Sequence, residues 1–222
     1  MRIAVPIFNG FTALDAIGPY DVLSRMPGAE VVFCADEAGP KRTESGMVAV
    51  TADASLDEIP RPDVIVVPGG VGNRAHLDPD NPYIRWIADA HPHTQWTTSV
   101  CTGSLMLAAA GVIGGVDATT HWAARDTLAE LGANPVAERV VERGKVMTAA
   151  GVSSGIDMAL VLVGRMTHEM VAQAIQLGIE YDPDPPHDTG SPEKAPPELV
   201  ELVMTALKAE DDKAAELHAL EL

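Results

Sequence analysis

The sequence predicts an α/β fold in which a mainly parallel central sheet carries helices on both faces. Short apolar runs alternate with helical patterns through the first two thirds of the 222 residues, which is typical of β-α-β units. In addition, a run of β-branched residues ends at Cys101, and strong helix formers begin almost at once after it. This length suits one large domain, so residues 1–222 are predicted to form a single domain.

The predicted strands are short runs dominated by apolar or β-branched residues. The first begins directly after the initial methionine. We predict strands at residues 2–7, 30–35, 63–67, 96–100, 118–120 and 145–149. Because helical segments separate most of these runs, neighbouring strands are expected to run parallel.

The predicted helices carry start signals or apolar faces. We predict helices at residues 16–25, 82–90, 103–110, 123–131, 155–166, 169–179 and 197–222. Ser154, followed three residues later by Asp157, marks the start of a helix whose apolar body should be buried. Residues 182–197 are rich in proline, glycine and aspartate, which predicts an extended surface arm. The last helix, residues 197–222, is acidic, and we interpret its charges as a solvated face.

The composition excludes several classes of protein. The 32 acidic residues outnumber the 15 basic ones and give a formal net charge of −17, which would repel nucleic acid and anionic lipid. No apolar run reaches about 18 residues, and the N-terminal strand is too short for a secretory signal. Cys34 and Cys101 are far apart and neither lies in a Cys-x-x-Cys pair, which indicates reduced thiols. We therefore expect a cytoplasmic protein whose partner is a small molecule.

The turn at Cys101 has the pattern of a nucleophile elbow, with cysteine in place of serine. A free thiol has a pKa of about 8.5, and a helix N-terminus can lower it to roughly 6, which would make most of the sulfur thiolate at neutral pH. The alternative is a buried structural cysteine, an interpretation that suits Cys34 well. The order of strand, cysteine, small residue and helix favours a catalytic thiol at Cys101.

Two further candidate groups follow strands, where ligands of a parallel sheet bind. Asp15 lies among apolar residues after the first strand, and it could be a helix N-cap or an acid/base group with a raised pKa. Gly69 and Gly70 follow the third strand and could form a tight turn. Alternatively, their backbone N–H groups could form an oxyanion hole with that of Thr102, the residue after the cysteine.

His121 and Trp122 follow the short run at residues 118–120. His121 could act as the base of the thiol or be a hydrogen-bonded structural residue. Trp122 could line an apolar substrate pocket or pack in the core. No cluster of side chains has the spacing of a metal site, so no bound metal is expected.

Several of these segments together resemble the ThiJ/PfpI superfamily, and within it the isocyanide hydratase branch. The segments that carry the resemblance are Ser99-Val100-Cys101-Thr102-Gly103-Ser104, Leu14-Asp15-Ala16-Ile17-Gly18-Pro19, Pro68-Gly69-Gly70, Ala118-Thr119-Thr120-His121-Trp122, Gly151-Val152-Ser153-Ser154-Gly155-Ile156-Asp157 and Glu180-Tyr181-Asp182-Pro183-Asp184-Pro185-Pro186. The isocyanide hydratase branch has aspartate in the L-D-x-x-G-P motif where many superfamily members place a glutamate beside the cysteine. Asp15 occupies that position, although Ile17 replaces the usual threonine.

The resemblance implies a flavodoxin-like three-layer sandwich, a homodimer, and the hydration of an isocyanide to an N-formamide through a thioimidate on the cysteine. It implies that Cys101 is the nucleophile, that Asp15 carries the proton, and that the N–H groups of Gly70 and Thr102 form the oxyanion hole. It implies no metal and no organic cofactor. Two alternatives remain: a glyoxalase-like or other cysteine hydrolase on the same scaffold, and a redox-sensing or regulatory protein without enzymatic activity.

Overall fold

The computed structural model describes the backbone of residues 1–221 and the side chains of residues 1–210. The strands are β1 (Arg2–Pro6), β2 (Glu30–Ala35), β3 (Gly39–Arg42), β4 (Ala49–Ala52), β5 (Ala54–Ser55), β6 (Val64–Val67), β7 (Trp96–Val100), β8 (Asp117–Ala118), β9 (Asn134–Pro135), β10 (Val140–Arg143) and β11 (Val146–Ala149). The helices are α1 (Ala13–Leu23), α2 (Pro82–Ala90), α3 (Gly103–Ala109), α4 (Arg125–Glu130), α5 (Ser154–Met166), α6 (Glu169–Gly178) and α7 (Pro197–Glu221).

The central sheet has the strand order β10-β11-β7-β6-β1-β2-β5. All neighbours are parallel except β10, which pairs antiparallel with β11 at the edge. The inner strands β1, β6 and β7 are adjacent, so their carboxyl ends meet at one edge of the sheet. Asp15, Gly69 and Cys101 follow these three strand ends and are therefore brought together.

Helices cover both faces of the sheet. Crossovers between parallel strands are almost always right-handed. From β1 to β2 the chain moves along the sheet in one direction, and from β6 to β7 it moves in the other, so α1 and α2 lie on opposite faces. α5 packs against α1, and α3 packs against α2. The predicted three-layer sandwich of the flavodoxin type, with its mainly parallel sheet, is confirmed.

The predicted strand at residues 118–120 is shorter than expected and lies outside the central sheet. Only Asp117–Ala118 is extended, and it pairs with Asn134–Pro135 in a separate two-stranded sheet. The next two residues, Thr119 and Thr120, do not continue the strand, because they form hydrogen bonds with residues at the ends of β11 and β7 instead. Thr119 donates its N–H to Thr148 Oγ1 at 2.9 Å, and the Thr120 hydroxyl donates to the carbonyl of Cys101 at 3.1 Å.

The C-terminal part of the chain begins with the predicted arm. Its residues are largely exposed and carry neither helix nor strand between Tyr181 and Pro196. α7 follows and packs against the short helical turn Val71–His76. Within the part of the chain that the structure describes, no helix is long and apolar enough to cross a membrane.

Candidate active site

The backbone at Cys101 makes a sharp turn between β7 and α3. Cys101 has a φ of 56°, a left-handed conformation that costs about 1–3 kcal/mol in a residue with a side chain. Hydrogen bonds hold the turn: its N–H donates to the carbonyl of Ala150 at 2.8 Å, and its carbonyl accepts from the hydroxyls of Thr120 and Ser104. A Cβ on Gly103 would lie 2.2 Å from the carbonyl oxygen of Val67, so only glycine fits at position 103, the first residue of α3. The elbow geometry agrees with the sequence pattern.

Asp15 lies in the first turn of α1, fully buried. The N-cap of that helix is Thr12, so the N-cap interpretation of Asp15 is wrong. Its Oδ2 accepts the N–H of Gly69 at 2.9 Å, whereas Oδ1 is buried without a hydrogen-bond partner among the described residues. Burial raises the pKa of Asp15 from 3.8 to about 8, against the opposing effect of the Gly69 N–H. Asp15 therefore carries a proton at neutral pH.

The pKa of the Cys101 thiol is raised, and the lowering expected from the helix N-terminus is wrong. The sulfur is almost completely buried, and burial together with the nearby Asp15 carboxyl disfavours the thiolate. The N–H groups of Thr102 and Val152 and the Thr102 hydroxyl favour the thiolate but do not reverse the shift. A negative charge on either group disfavours ionisation of the other, so the pair holds at most one negative charge near neutral pH.

Gly69 and Gly70 lie beside the pair, and both of their N–H groups have protein acceptors. Gly69 donates to Asp15, and Gly70 donates to Thr102 Oγ1 at 3.0 Å. Gly70 has a φ of 134°, and a Cβ there would lie 2.3 Å from the carbonyl oxygen of Gly10. The two glycines are thus needed for close backbone approach. An oxyanion hole at Gly70 remains a prediction, and it requires Thr102 Oγ1 to release this N–H.

A cavity of about 160 Å³ opens over Cys101. The residues around the thiol come from the turn Val71–His76, from His121 and from Val152, and Leu207 and Glu210 of α7 close another side. The interpretation of the last helix as only a solvated face is therefore wrong at Leu207, whereas Glu210 is exposed as predicted although it also lines the cavity. The structure shows no group of three or more histidine, cysteine, aspartate or glutamate side chains that could hold a metal within the described residues.

The structure places His121 at the cavity and Trp122 away from it. His121 Nδ1 accepts the N–H of Ala123 at 3.3 Å, and its ring packs against Gly151. Burial and the nearby Arg125 lower the pKa of His121, so the ring is neutral at pH 7. Trp122 lines a second cavity of about 280 Å³ beside the arm and α7. Trp122 therefore does not line the cavity over the thiol, and a substrate-binding role for it remains a prediction.

The comparisons with known proteins agree with this geometry. The sequence model of the DJ-1/PfpI family matches residues 1–165. The chain belongs to the DJ-1/PfpI family. It is 39% identical over 201 residues to the isonitrile hydratase of Pseudomonas putida. The aligned residues make up 90% of this chain and 87% of that protein. The crystal structure of a ThiJ/PfpI family protein from Pseudomonas syringae matches with a TM-score of 0.88 at 33% identity, covering 97% of this chain and 89% of that one. The resemblance to the isocyanide hydratase branch is confirmed.

A transcriptional regulator is also similar to this DJ-1/PfpI chain. The HTH-type transcriptional regulator GbdR of Pseudomonas aeruginosa is 25% identical over 184 residues, which make up 79% of this chain but only 49% of the regulator. The similarity therefore spans about half of that protein.

Three polar residues at the site of this DJ-1/PfpI chain were not predicted. The Asn73 amide donates to the Thr102 carbonyl at 2.7 Å and is 1% exposed, so it fixes the start of α3. The Thr12 hydroxyl donates to Glu44 Oε2 at 2.8 Å, and the Glu44 carboxylate contributes to the raised pKa of Asp15. Only Asn73 carried a local signal, because it follows the glycine pair by a few residues. Glu44 lies in an exposed turn and has no sequence feature that distinguishes it.

Proposed function

We propose that this protein hydrates isocyanides, R–N≡C, to N-formamides, R–NH–CHO. The observation that carries the proposal is a buried pair beneath the cavity, in which Cys101 lines the cavity and supplies a nucleophile, and the neighbouring Asp15 supplies a carboxyl that is protonated at neutral pH. The similarity to an isonitrile hydratase over 90% of the chain supports the same reaction. The reaction needs only water as a second reactant.

The first step forms a carbon–sulfur bond. The terminal carbon of an isocyanide carries a lone pair and also accepts a nucleophile, so it can receive both groups that the pair offers. The Cys101 sulfur bonds to this carbon while the Asp15 carboxyl gives it a proton, and the thiol proton passes to the carboxyl. The product is a thioimidate, R–N=CH–S–Cys101, and Asp15 is again protonated. The donors of Thr102 and Val152 stabilise negative charge on sulfur during the transfer.

The second step adds water to the thioimidate carbon. One water proton goes to nitrogen, the oxygen bonds to carbon, and the carbon–sulfur bond then breaks. Sulfur regains a proton, and the N-formamide leaves. Asp15 is the proton carrier in this step too, because its carboxyl interacts with Cys101 and holds a proton at neutral pH.

The cavity suits a small, neutral substrate. Its volume of about 160 Å³ is close to that of an engineered cavity of about 150 Å³ that binds benzene. An isocyanide with one ring or a short branched chain therefore fits above the thiol. We also propose that the chain acts as one domain, forms a homodimer and works in the cytoplasm.

The test is production of N-cyclohexylformamide from cyclohexyl isocyanide, followed by chromatography. Cys101→Ala should abolish the product, whereas Cys34→Ala should retain it, because Cys34 is buried in β2 away from the cavity. Methylglyoxal is assayed in parallel. Turnover of methylglyoxal without formamide would favour a glyoxalase-like hydrolase. Stoichiometric peroxide oxidation of Cys101 without turnover of either compound would favour a redox sensor.

A further inference from the structure

We propose that α7 determines substrate selectivity, with Leu207 limiting substrate size and Glu210 disfavouring anionic substrates. This inference rests on the proposed isocyanide hydration. Both residues lie far along the chain from Cys101, and both line the same cavity.

One side of α7, which we call the inner face, contains Val200, Val203, Leu207 and Glu210. Their spacing of three or four residues places them along one side of a helix. Val200 and Val203 line the cavity beside Trp122, and Leu207 and Glu210 line the cavity over the thiol. Val200 and Leu207 are partly buried, whereas Val203, Glu210 and the other residues of α7 up to position 210 are exposed. The inner face therefore borders both cavities, and Leu207 is its least exposed position at the cavity over the thiol.

The charges around the cavity favour a neutral substrate. Glu44 and Glu210 contribute carboxylates, and Arg74 contributes one guanidinium. His121 is neutral at pH 7 because its pKa is lowered, and Asp15 is protonated. The described side chains that line the cavity therefore sum to one net negative charge at neutral pH. A carboxylate on the substrate would be repelled by this charge, and removing the Glu210 charge would relieve the repulsion.

Two isocyanides that differ mainly in charge test the role of Glu210. Methyl isocyanoacetate is neutral, and isocyanoacetate is its anionic counterpart. We compare the kcat/KM for the neutral ester divided by that for the anion. This neutral-to-anionic ratio should fall about fivefold in Glu210→Gln, which is the effect of one charge at roughly 8 Å in a partly screened site. Added salt should reduce the ratio in the wild type and have little effect on it in the variant.

Glu201→Gln is the matched control for charge. Nine positions separate Glu201 from Glu210, which at about 100° per residue places them on opposite sides of α7. Both variants change the net charge of the protein equally. The proposal predicts an unchanged ratio in Glu201→Gln. Equal ratios in wild type, Glu201→Gln and Glu210→Gln would overturn it.

The size limit is tested with cyclohexyl isocyanide and the bulkier 1-adamantyl isocyanide. Leu207→Ala removes apolar side-chain atoms from the cavity wall, so kcat/KM for the adamantyl compound should rise relative to that for the cyclohexyl compound. Leu202→Ala is the control, because Leu202 is 66% exposed and does not line the cavity. A selectivity unchanged in Leu207→Ala would refute the size limit. If the wild type hydrated none of the four isocyanides, the proposed function itself would be wrong.

Discussion

Replacing Asp15 by asparagine should make the protein more stable at neutral pH while it loses activity. Asparagine has nearly the same shape as a protonated aspartate and carries no charge. Its amide oxygen can accept the Gly69 N–H in place of Oδ2, and its amide nitrogen takes the place of the unpartnered Oδ1. The variant therefore keeps the contacts of the buried carboxyl but removes its tendency to ionise.

The magnitude follows from the pKa of Asp15. That pKa is about 8 in the folded protein and 3.8 for an ordinary aspartate. The folded pKa is the higher one, so the favourable contribution of Asp15 to stability is complete below pH 3.8 and is lost as the pH rises towards 8. Each pH unit in that window is worth about 1.4 kcal/mol, so the loss at pH 7 is about 4 kcal/mol. The new amide N–H groups lack full partners, which costs about 2 kcal/mol at every pH.

The assay is urea unfolding of wild type and Asp15→Asn between pH 4 and pH 7.5. At pH 4 the variant should be less stable by about 2 kcal/mol, and at pH 7 it should be more stable by a similar amount. Asp21→Asn is the control, because Asp21 is an exposed residue of α1 that pairs with Arg25. Its difference from the wild type should stay nearly constant with pH. A constant difference for Asp15→Asn as well would refute the raised pKa.

The remaining predictions concern rate, thiol reactivity and the elbow. The rate of formamide production should decline as the pH rises through about 8, because Asp15 then loses the proton that it gives to carbon; a rate that increases through this range would contradict the assignment. Thr102→Val removes a hydroxyl that favours the Cys101 thiolate, so alkylation by iodoacetamide at pH 8 should slow about tenfold, whereas Thr102→Ser should alkylate as the wild type does. Gly103→Ala should destabilise the protein by about 3 kcal/mol in urea unfolding, since its Cβ would overlap a carbonyl oxygen of β6. Gly114→Ala, where a Cβ meets nothing within 4 Å, should change stability by less than about 1 kcal/mol.

The sequence predicts the central strands and the site at their ends well. The predicted strand at residues 30–35 coincides with β2, and that at residues 96–100 coincides with β7, because buried parallel strands are continuous apolar or β-branched runs. The short strands β3, β4 and β10 were not predicted. Each has four residues and no continuous buried apolar run, and their positions depend on pairing with other strands.

The electrostatics of the site could not be predicted from local sequence. A helix N-terminus lowers a thiol pKa only if the sulfur keeps enough solvent or positive charge nearby. Here the turn buries Cys101 beside Asp15, a residue distant in the chain, and both effects act in the opposite direction. The positions of Glu44, Leu207 and Glu210 at the cavity could not be predicted either, since only the tertiary fold brings these residues to it.

The most direct test of the account is rapid-quench intact-mass analysis of the protein mixed with cyclohexyl isocyanide. Within the first turnover the wild type should gain the mass of one isocyanide, and peptide mapping should place the adduct on Cys101. Cys101→Ala should gain no mass, and Asp15→Asn should form the adduct far more slowly because the proton donor is missing. Formamide release by the wild type without any adduct, or formation of the adduct at the wild-type rate in Asp15→Asn, would contradict the account.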